Sequence, residues 1–193
     1  MSKTLTVYQT LKNKGNSAYV EREGPFNCNW ENAWLGEGYY FWEAFINSAH
    51  WWGKNHCQNN YFICQAFCSM TDTNCFDLVG DTSHMQIFSD AIDQMKTEGL
   101  IDQKTTVTRI LKYLGDIGIF KFEATRAVGY SSIGQKNSKY LKRMLFEIPK
   151  NSKPDHYLQY QPPIQVCFYN KNSMGLNGYK IIFPDEYNQG YVL

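Results

Sequence analysis

The segment spanning residues 36–53 carries the residue types of a site for a flat, aromatic ligand. It reads Gly-Glu-Gly-Tyr-Tyr-Phe-Trp-Glu from residue 36 and, after a short spacer, Asn-Ser-Ala-His-Trp-Trp-Gly from residue 47. Glycines let the backbone turn tightly, the aromatic run favours a strand, and the Ser/Ala/Trp stretch is typical of one or two helical turns. These residues could supply ring faces and a hydroxyl group to such a ligand. Core packing is the alternative interpretation of the same aromatic run.

The composition is that of one globular domain spanning residues 1–193. With 43% hydrophobic and 19% charged residues, the chain can bury a substantial core. There are 19 Lys and Arg against 18 Asp and Glu, so the formal net charge of +1 requires neither nucleic acid nor an anionic membrane as partner. The oligomeric state is left open.

The basic and apolar stretches of the chain support the same interpretation. The spacing of Lys136, Lys139, Lys142 and Arg143 would put much of their charge on one helical face, which we interpret as a solvated face. Residues 1–7 lack the apolar core of a signal peptide, and no later stretch approaches the ~20 apolar residues of a membrane span. We therefore expect a cytoplasmic protein without a membrane partner.

The cysteines are expected to be reduced, packed thiols, because no export signal is present. They are Cys28, Cys57, Cys64, Cys68, Cys75 and Cys167. Some of them lie near His50 and His56, but Cys64 and Cys68 alternate with neighbours as on a strand with one small-residue face. No Cys-x-x-Cys pair occurs, so no metal site is predicted.

Hydrophobic periodicity predicts an α+β fold. Strands are predicted at residues 5–10, 61–69, 76–80, 120–124, 142–148, 164–169 and 179–183. A capping box formed by Ser83 and Gln86 begins a helix that ends at Gly99, and a second helix covers 107–115, which gives a helical insert around residues 82–114. The polar stretch 12–24 predicts a loop. A doubly wound sheet is not expected, because the sequence has neither a strand–helix–strand repeat nor a glycine-rich phosphate loop.

Residues 36–52 resemble the NAD-binding signature of the poly(ADP-ribose) polymerase-like and diphtheria-toxin-like ADP-ribosyltransferases. That signature has two glycines, a Tyr-Phe pair and, after a spacer, a Ser-Ala pair followed by a second stacking aromatic residue. The matching residues here are Gly36, Gly38, Tyr40, Phe41, Ser48, Ala49 and Trp51. The resemblance covers under a tenth of the chain, and its spacing is moderately specific. It implies an ADP-ribosyltransferase-like split β-sheet core.

The resemblance also implies two flanking catalytic positions. The family's opening strand ends in a histidine, and Gln9 stands at that place. Its late strand begins with a glutamate, and Gln165 is the counterpart. The implied catalytic set is therefore Gln9, Tyr40 and Gln165, in which both glutamines depart from the family.

The chemistry implied for this set is cleavage of the nicotinamide–ribose bond of NAD, without a metal. Tyr40 and Trp51 would stack on the nicotinamide ring, while Ser48 and the backbone of Thr10 would bind its carboxamide, with Gly38 in the same binding set. The transition state resembles an oxocarbenium ion. Gln165 can donate to a ribose hydroxyl, but its amide has no negative charge and cannot act as a base, so polymer synthesis is not expected.

The resemblance thus implies an NAD-dependent mono-ADP-ribosyltransferase, or an NAD glycohydrolase, with an unknown acceptor. Protein is favoured over nucleic acid as that acceptor. The alternative is an inactive relative that binds NAD, ADP-ribose or a protein partner in the same cleft. An RNA-processing phosphotransferase ranks last, since only the basic cluster at 136–143 would suit a phosphate. Glu43 and Glu123 are the carboxylates that could substitute for the family's glutamate, but a solvated surface acid is the favoured interpretation of each.

Overall fold

The computed structural model describes residues 2–30, 33–129, 142–146 and 156–187 and is a mixed α+β structure. Its strands are β1 (Lys3–Lys12), β2 (Tyr39–Glu43), β3 (Tyr61–Met70), β4 (Cys75–Asp77), β5 (Ala124–Val128), β6 (Arg143–Leu145), β7 (Tyr157–Gln159), β8 (Ile164–Phe168) and β9 (Asn177–Phe183). Its α-helices are α1 (Ser17–Glu23), α2 (Ile46–His56), α3 (Thr82–Thr97) and α4 (Val107–Asp116).

Seven of the strands form one mixed sheet in the order β4-β5-β8-β2-β1-β3-β9. β4 and β5 pair in parallel, and the other neighbours in this sheet are antiparallel. β6 and β7 form a separate antiparallel hairpin. The predicted α+β class is therefore confirmed at this level, with a large mixed sheet as its centre.

The two faces of the large sheet are covered differently. One face, which we call the first face, buries residues such as Val7, Phe41 and Val166, together with Val20 of α1. The second face carries Tyr40 and Trp42 and is covered by α2, α3 and α4. Because side chains alternate along a strand, neighbouring residues of β2 contribute to opposite cores.

Helix α1 replaces the loop that the polar stretch 12–24 predicts. Its sequence is polar except for Val20, which is buried against Phe62, Cys64 and Ile181 on the first face. One buried side chain gives too weak a periodic signal for a sequence-based prediction, so tertiary packing decides this helix.

The helix over 82–97 is confirmed, but the capping box at its start is wrong. Asp81 is the N-cap, and its carboxylate accepts hydrogen bonds from the N–H groups of Ser83 and His84. Aspartate is among the preferred N-cap residues and satisfies the otherwise unpaired N–H groups of the first turn. The predicted second helix corresponds to α4, which ends at Asp116.

Three further boundaries differ from the prediction. Helix α2 runs for eleven residues rather than one or two turns. β5 begins only at Ala124, because Phe120 and Phe122 turn into an aromatic cluster around Phe76. Of the predicted strand 142–148, the structure describes Arg143–Leu145 as β6, and residues 147 and 148 lie outside the described ranges.

Candidate functional site

Strands β1 and β2 pair over a short stretch and then diverge. Their ladder ends at Tyr8–Trp42, and no pair joins Thr10 to Tyr40. β1 nevertheless stays paired with β3 along its whole length. The divergence opens a gap within the sheet, between the second half of β1 and the first half of β2. We call it the strand gap.

The backbone N–H of Thr10 faces the strand gap. The N–H of Ala44 donates to the C=O of Thr6 at 2.9 Å. Since alternate residues of an antiparallel strand direct their main-chain groups to the same neighbour, Thr10 also directs its groups towards β2. The next rung would join the Thr10 N–H to the Tyr40 C=O, and it is not formed. A peptide donor is thus presented to the gap without its ladder partner.

Gln9 lies beside the gap, and its side-chain amide is fully engaged. Its Oε1 accepts hydrogen bonds from the N–H of Phe26 at 3.0 Å and from the hydroxyl of Tyr179 at 2.9 Å. Its Nε2 donates to the C=O of Phe26 at 2.8 Å and lies 3.5 Å from the C=O of Tyr40. This buried side chain therefore closes the first face behind the gap.

Tyr40 lies on the second face, where its hydroxyl binds the preceding turn. The hydroxyl donates to the C=O of Gly36 at 2.7 Å and accepts from the N–H of Leu35 at 2.9 Å. Burial raises the pKa of the Tyr40 phenol well above its usual range, and the nearby Cys167 thiol acts in the same direction. The phenol therefore stays protonated, and Tyr40 can offer a ring and an anchored hydroxyl but no base.

Glycine is required at the two motif positions for different structural reasons. Gly36 has a φ of +92°, a conformation that other residues rarely adopt. Gly38 exchanges two backbone hydrogen bonds with Cys28, and a Cβ there would lie only 2.5 Å from the carbonyl oxygen of Phe168. Both glycines thus position the start of β2.

Helix α2 is fastened to the strand gap at its first turn. The hydroxyl of Thr10 donates to the C=O of Ala49 at 3.0 Å, which brings the half-buried Ser48 next to this part of β1. Trp51 lies one turn further along and packs edge-on against Trp42, with ring centroids 6.4 Å apart. The motif's serine and second aromatic residue therefore occupy the same helix on the second face.

Gln165 lies on the second face beside β2. Its register partner is Trp42, and its Oε1 accepts a hydrogen bond from the indole N–H of Trp34 at 2.7 Å. The indole ring of Trp34 also lies against Gly129, where a Cβ would be 2.8 Å from it. Trp34 thus covers Gln165, which is 7% exposed.

The structure brings together some of the predicted site residues and separates others. Thr10, Tyr40 and Gln165 direct their side chains to the second face, which α2 with Ser48 and Trp51 also covers. Gln9 directs its side chain to the first face, because it is one residue out of phase with Thr10. Tyr40 packs with the α3–α4 cluster, whereas Trp51 packs with Trp42.

Sequence reasoning missed a buried ionic triad on the first face. Arg126 donates to Asp77 at 2.8 Å and, through Nη2, to Glu43 at 3.0 Å. Burial would lower the pKa of Arg126, but the hydrogen bonds and charges of the two carboxylates outweigh it and raise that pKa. The expectation that Glu43 is a solvated surface acid is wrong, since it is 5% exposed, whereas Glu123 is exposed as expected. A strand residue next to a polar turn gave no signal of this pairing.

A pocket of about 300 Å³ opens beside this triad rather than at the strand gap. Its lining residues are Lys3, Met70, Thr71, Asp72, Asp77, Gly80, Asp81 and Thr82. The volume is at the lower end of small-molecule sites. One carboxylate oxygen of Asp77 already accepts hydrogen bonds from Arg126 and from the N–H groups of Val79 and Gly80. We therefore assign Asp77 a structural role.

The cysteines are all unpaired in the structure. Burial raises the pKa of Cys64, Cys68, Cys75 and Cys167 to about 12. Within the described ranges, no group of three or more His, Cys, Asp or Glu side chains could hold a metal ion. In the same part of the chain, none of the helices has the length and apolar character needed to cross a membrane.

The chain is similar to an uncharacterized protein of Methanocaldococcus jannaschii. The two are 28% identical over 185 residues, which cover 86% of this chain and 82% of the relative. No protein-family model matches the chain, and no solved structure does.

Proposed function

We propose that this protein binds NAD with the nicotinamide at the strand gap and is an NAD-dependent mono-ADP-ribosyltransferase or NAD glycohydrolase. The observation that carries the proposal is the missing rung between Thr10 and Tyr40. A primary carboxamide carries both an acceptor and a donor, so it can take the place of a peptide group opposite the Thr10 N–H. The motif residues of β2 and α2 flank that same gap.

The hydrogen bond from Thr10 to Ala49 supports a carboxamide site at this place. It fastens the first turn of α2 to β1, so that Ser48 and the Thr10 N–H are held by neighbouring parts of the rigid frame. Two donors fixed in this way would restrict rotation of the nicotinamide about the bond to be broken. Trp51 on the next turn of α2 would supply an aromatic face to the ring.

The ribose end would rely on Gln165. Its Oε1 is held by Trp34, which fixes the amide and leaves Nε2 to donate to a ribose hydroxyl. A neutral amide gives the cationic transition state less stabilisation than a carboxylate would. Slow transfer to water or to one acceptor group fits this chemistry better than polymer synthesis. Protein is the acceptor we favour.

A binding module without catalysis is the second candidate. It is favoured by the engagement of both glutamines with the protein, since the amide of Gln9 has its partners in Phe26 and Tyr179. Such a module would hold NAD, ADP-ribose or a protein segment at the strand gap without breaking a bond.

Measuring free nicotinamide by chromatography after incubation with about 1 mM NAD, near the upper end of common KM values, tests the proposal. We expect release by the wild type and its loss in Ser48→Ala, with an unchanged Tm and with the exposed Ser89→Ala as matched control. Gln165→Glu should raise the rate at least about tenfold, because a carboxylate supplies the missing charge. Calorimetric binding of NAD without release would support the module, and absence of both would overturn the proposal.

A further inference from the structure

The hairpin of β6 and β7 presents an apolar face to solvent. Met144 lies opposite Leu158 in the register, and the flanking pairs add Phe146 and Tyr160 to the same face. These side chains are 65%, 52%, 70% and 48% exposed, in the order Met144, Leu158, Phe146 and Tyr160. Four exposed large side chains on one small surface mark an interaction site rather than scattered surface residues.

The hairpin also has strand edges without a partner in its sheet. β6 and β7 form a two-stranded sheet, so within the described residues each has one edge outside any ladder. An isolated two-stranded hairpin is marginally stable in water and gains from further packing or pairing. An added strand would satisfy an edge and cover the apolar face at once.

The charge of the hairpin itself selects the kind of partner. Its described residues, 142–146 and 156–160, contain Lys142 and Arg143 and no Asp or Glu, which gives +2. A second copy docking through the same face would bring two such basic segments together, which is unfavourable. An acidic partner is attracted instead.

We propose that the outer face of the β6–β7 hairpin docks an extended, acidic protein segment with apolar residues on alternate positions. The main-chain edge of β6 or β7 would pair with the segment, Met144 and Leu158 would take its apolar side chains, and Lys142 would face its acids. A lipid surface fits less well, because hydrocarbon cannot satisfy open strand edges. Nucleic acid fits less well too, because the centre of the face is aliphatic rather than a stacking platform.

Selection of random 12-residue peptides displayed on phage against the intact protein tests this docking site. We expect the enriched peptides to be acidic and to alternate apolar residues. Phe146→Ser/Leu158→Ser should weaken their binding at least about tenfold, which corresponds to ~1.4 kcal/mol. Leu100→Ser/Ile119→Ser, which changes two exposed apolar residues elsewhere, is the matched control and should not weaken it. Lys142→Glu should weaken it as well.

Several results would overturn the docking site. These are no enrichment, enrichment of neutral or basic peptides, or equal binding to the Phe146→Ser/Leu158→Ser variant. The proposal also fails if the face binds phosphatidylserine vesicles or a single-stranded oligonucleotide in place of peptides. It fails as well if light scattering shows that the wild type is a dimer and the double variant is a monomer. None of these measurements involves NAD, so their outcome is independent of the proposed catalysis.

Discussion

The side-chain amide of Gln9 pairs with both main-chain groups of Phe26, as one strand residue pairs with another. Its Nε2 donates to the Phe26 carbonyl at 2.8 Å, and its Oε1 accepts from the Phe26 N–H at 3.0 Å. The segment around Phe26 is thereby held to β1 where β2 has already separated from it. A glutamine can do this because its amide repeats the donor and acceptor of a peptide group.

Replacing Gln9 by leucine should destabilise the fold. The N–H and C=O of Phe26 would lose buried partners, and an unsatisfied buried group costs roughly 1–3 kcal/mol. Urea unfolding with a fluorescence readout measures this loss. Gln9→Glu keeps the acceptor but replaces the donor by a second oxygen facing the Phe26 C=O, so it should destabilise the fold as well. If Gln9→Leu is as stable as the wild type, the pairing with Phe26 does not stabilise the fold.

Substitution by alanine should have opposite effects on stability at two glycines. Gly38→Ala places a Cβ 2.5 Å from a backbone oxygen, so β2 or β8 must shift, at a cost of about 1–3 kcal/mol. Gly115→Ala is the matched control, because no atom lies within 4 Å of a Cβ there and alanine favours the helix by roughly 0.5–1 kcal/mol. Thermal unfolding should therefore show a lower Tm for the first and a higher Tm for the second. Equal shifts would contradict the tight packing at Gly38.

Removing the cation of the buried triad should be more harmful than either substitution. Arg126→Met leaves the carboxylates of Glu43 and Asp77 close together, with only the exposed Lys3 still 3.8 Å from Glu43, and breaking such a buried pair costs about 3–5 kcal/mol. Chemical denaturation measures this loss. Arg126→Met combined with Glu43→Gln should recover part of it, because only one buried acid then lacks its partner. No recovery would show that the guanidinium acts by packing rather than by charge.

The thiols should differ in their reactivity towards iodoacetamide. The thiolate is the reactive form, and at pH 8 a group with a pKa of about 12 is thiolate only on the order of 10⁻⁴ of the time. Cys28 is half-buried, whereas the other five are buried, so we expect Cys28 to be alkylated first. Peptide mass spectrometry of the native protein gives the order. Rapid labelling of Cys167 would contradict the packing beneath Tyr40.

His50 should make the fold less stable in mild acid. Burial lowers the pKa of its imidazole from the ordinary value of 6.5, and the charge of Lys54 acts in the same direction. The unfolded chain therefore binds the proton more readily, so stability falls as the pH drops through 6.5 towards the lower folded pKa. His50→Gln should flatten this part of the stability curve, whereas Ser89→Ala, which changes an exposed residue that does not titrate, should leave its slope unchanged.

Sequence reasoning predicted the elements whose periodicity is strong. β1 and the helices α3 and α4 carry regular apolar patterns because each buries one face, whereas β3, β8 and β9 are recognised as apolar runs, of which β8 is buried on both faces. The helix α1 carries a single buried residue, Val20, and so gave no such pattern. The start of β5 was misplaced because Phe120 and Phe122 alternate like strand residues while packing around Phe76. In these cases long-range packing outweighs local preference.

The spacing of the motif predicts the residues of the candidate site, but it does not predict how these residues are arranged on the sheet. The pattern does not reveal where β1 and β2 separate, since this depends on Phe26 and Cys28 taking the places opposite Gln9 and Gly38. It also does not reveal that Gln9 and Thr10 serve opposite faces, which follows from the register with β3. Stacking of Tyr40 and Trp51 on one nicotinamide remains a prediction.

The narrow junction between β1 and β2 divides the sheet into two blocks for the purpose of unfolding. β1, β3 and β9 are joined by long ladders, and β2, β8, β5 and β4 form the other set. Among the described residues, the ladder between the two sets has the register pairs Val7–Glu43 and Tyr8–Trp42, and the hydrogen bond from Ala44 to Thr6 extends it. Cooperative opening units often follow such boundaries. Amide hydrogen exchange should therefore show two protection classes, with a ligand in the gap slowing exchange in both. A small molecule bound there would contact both blocks and couple their unfolding.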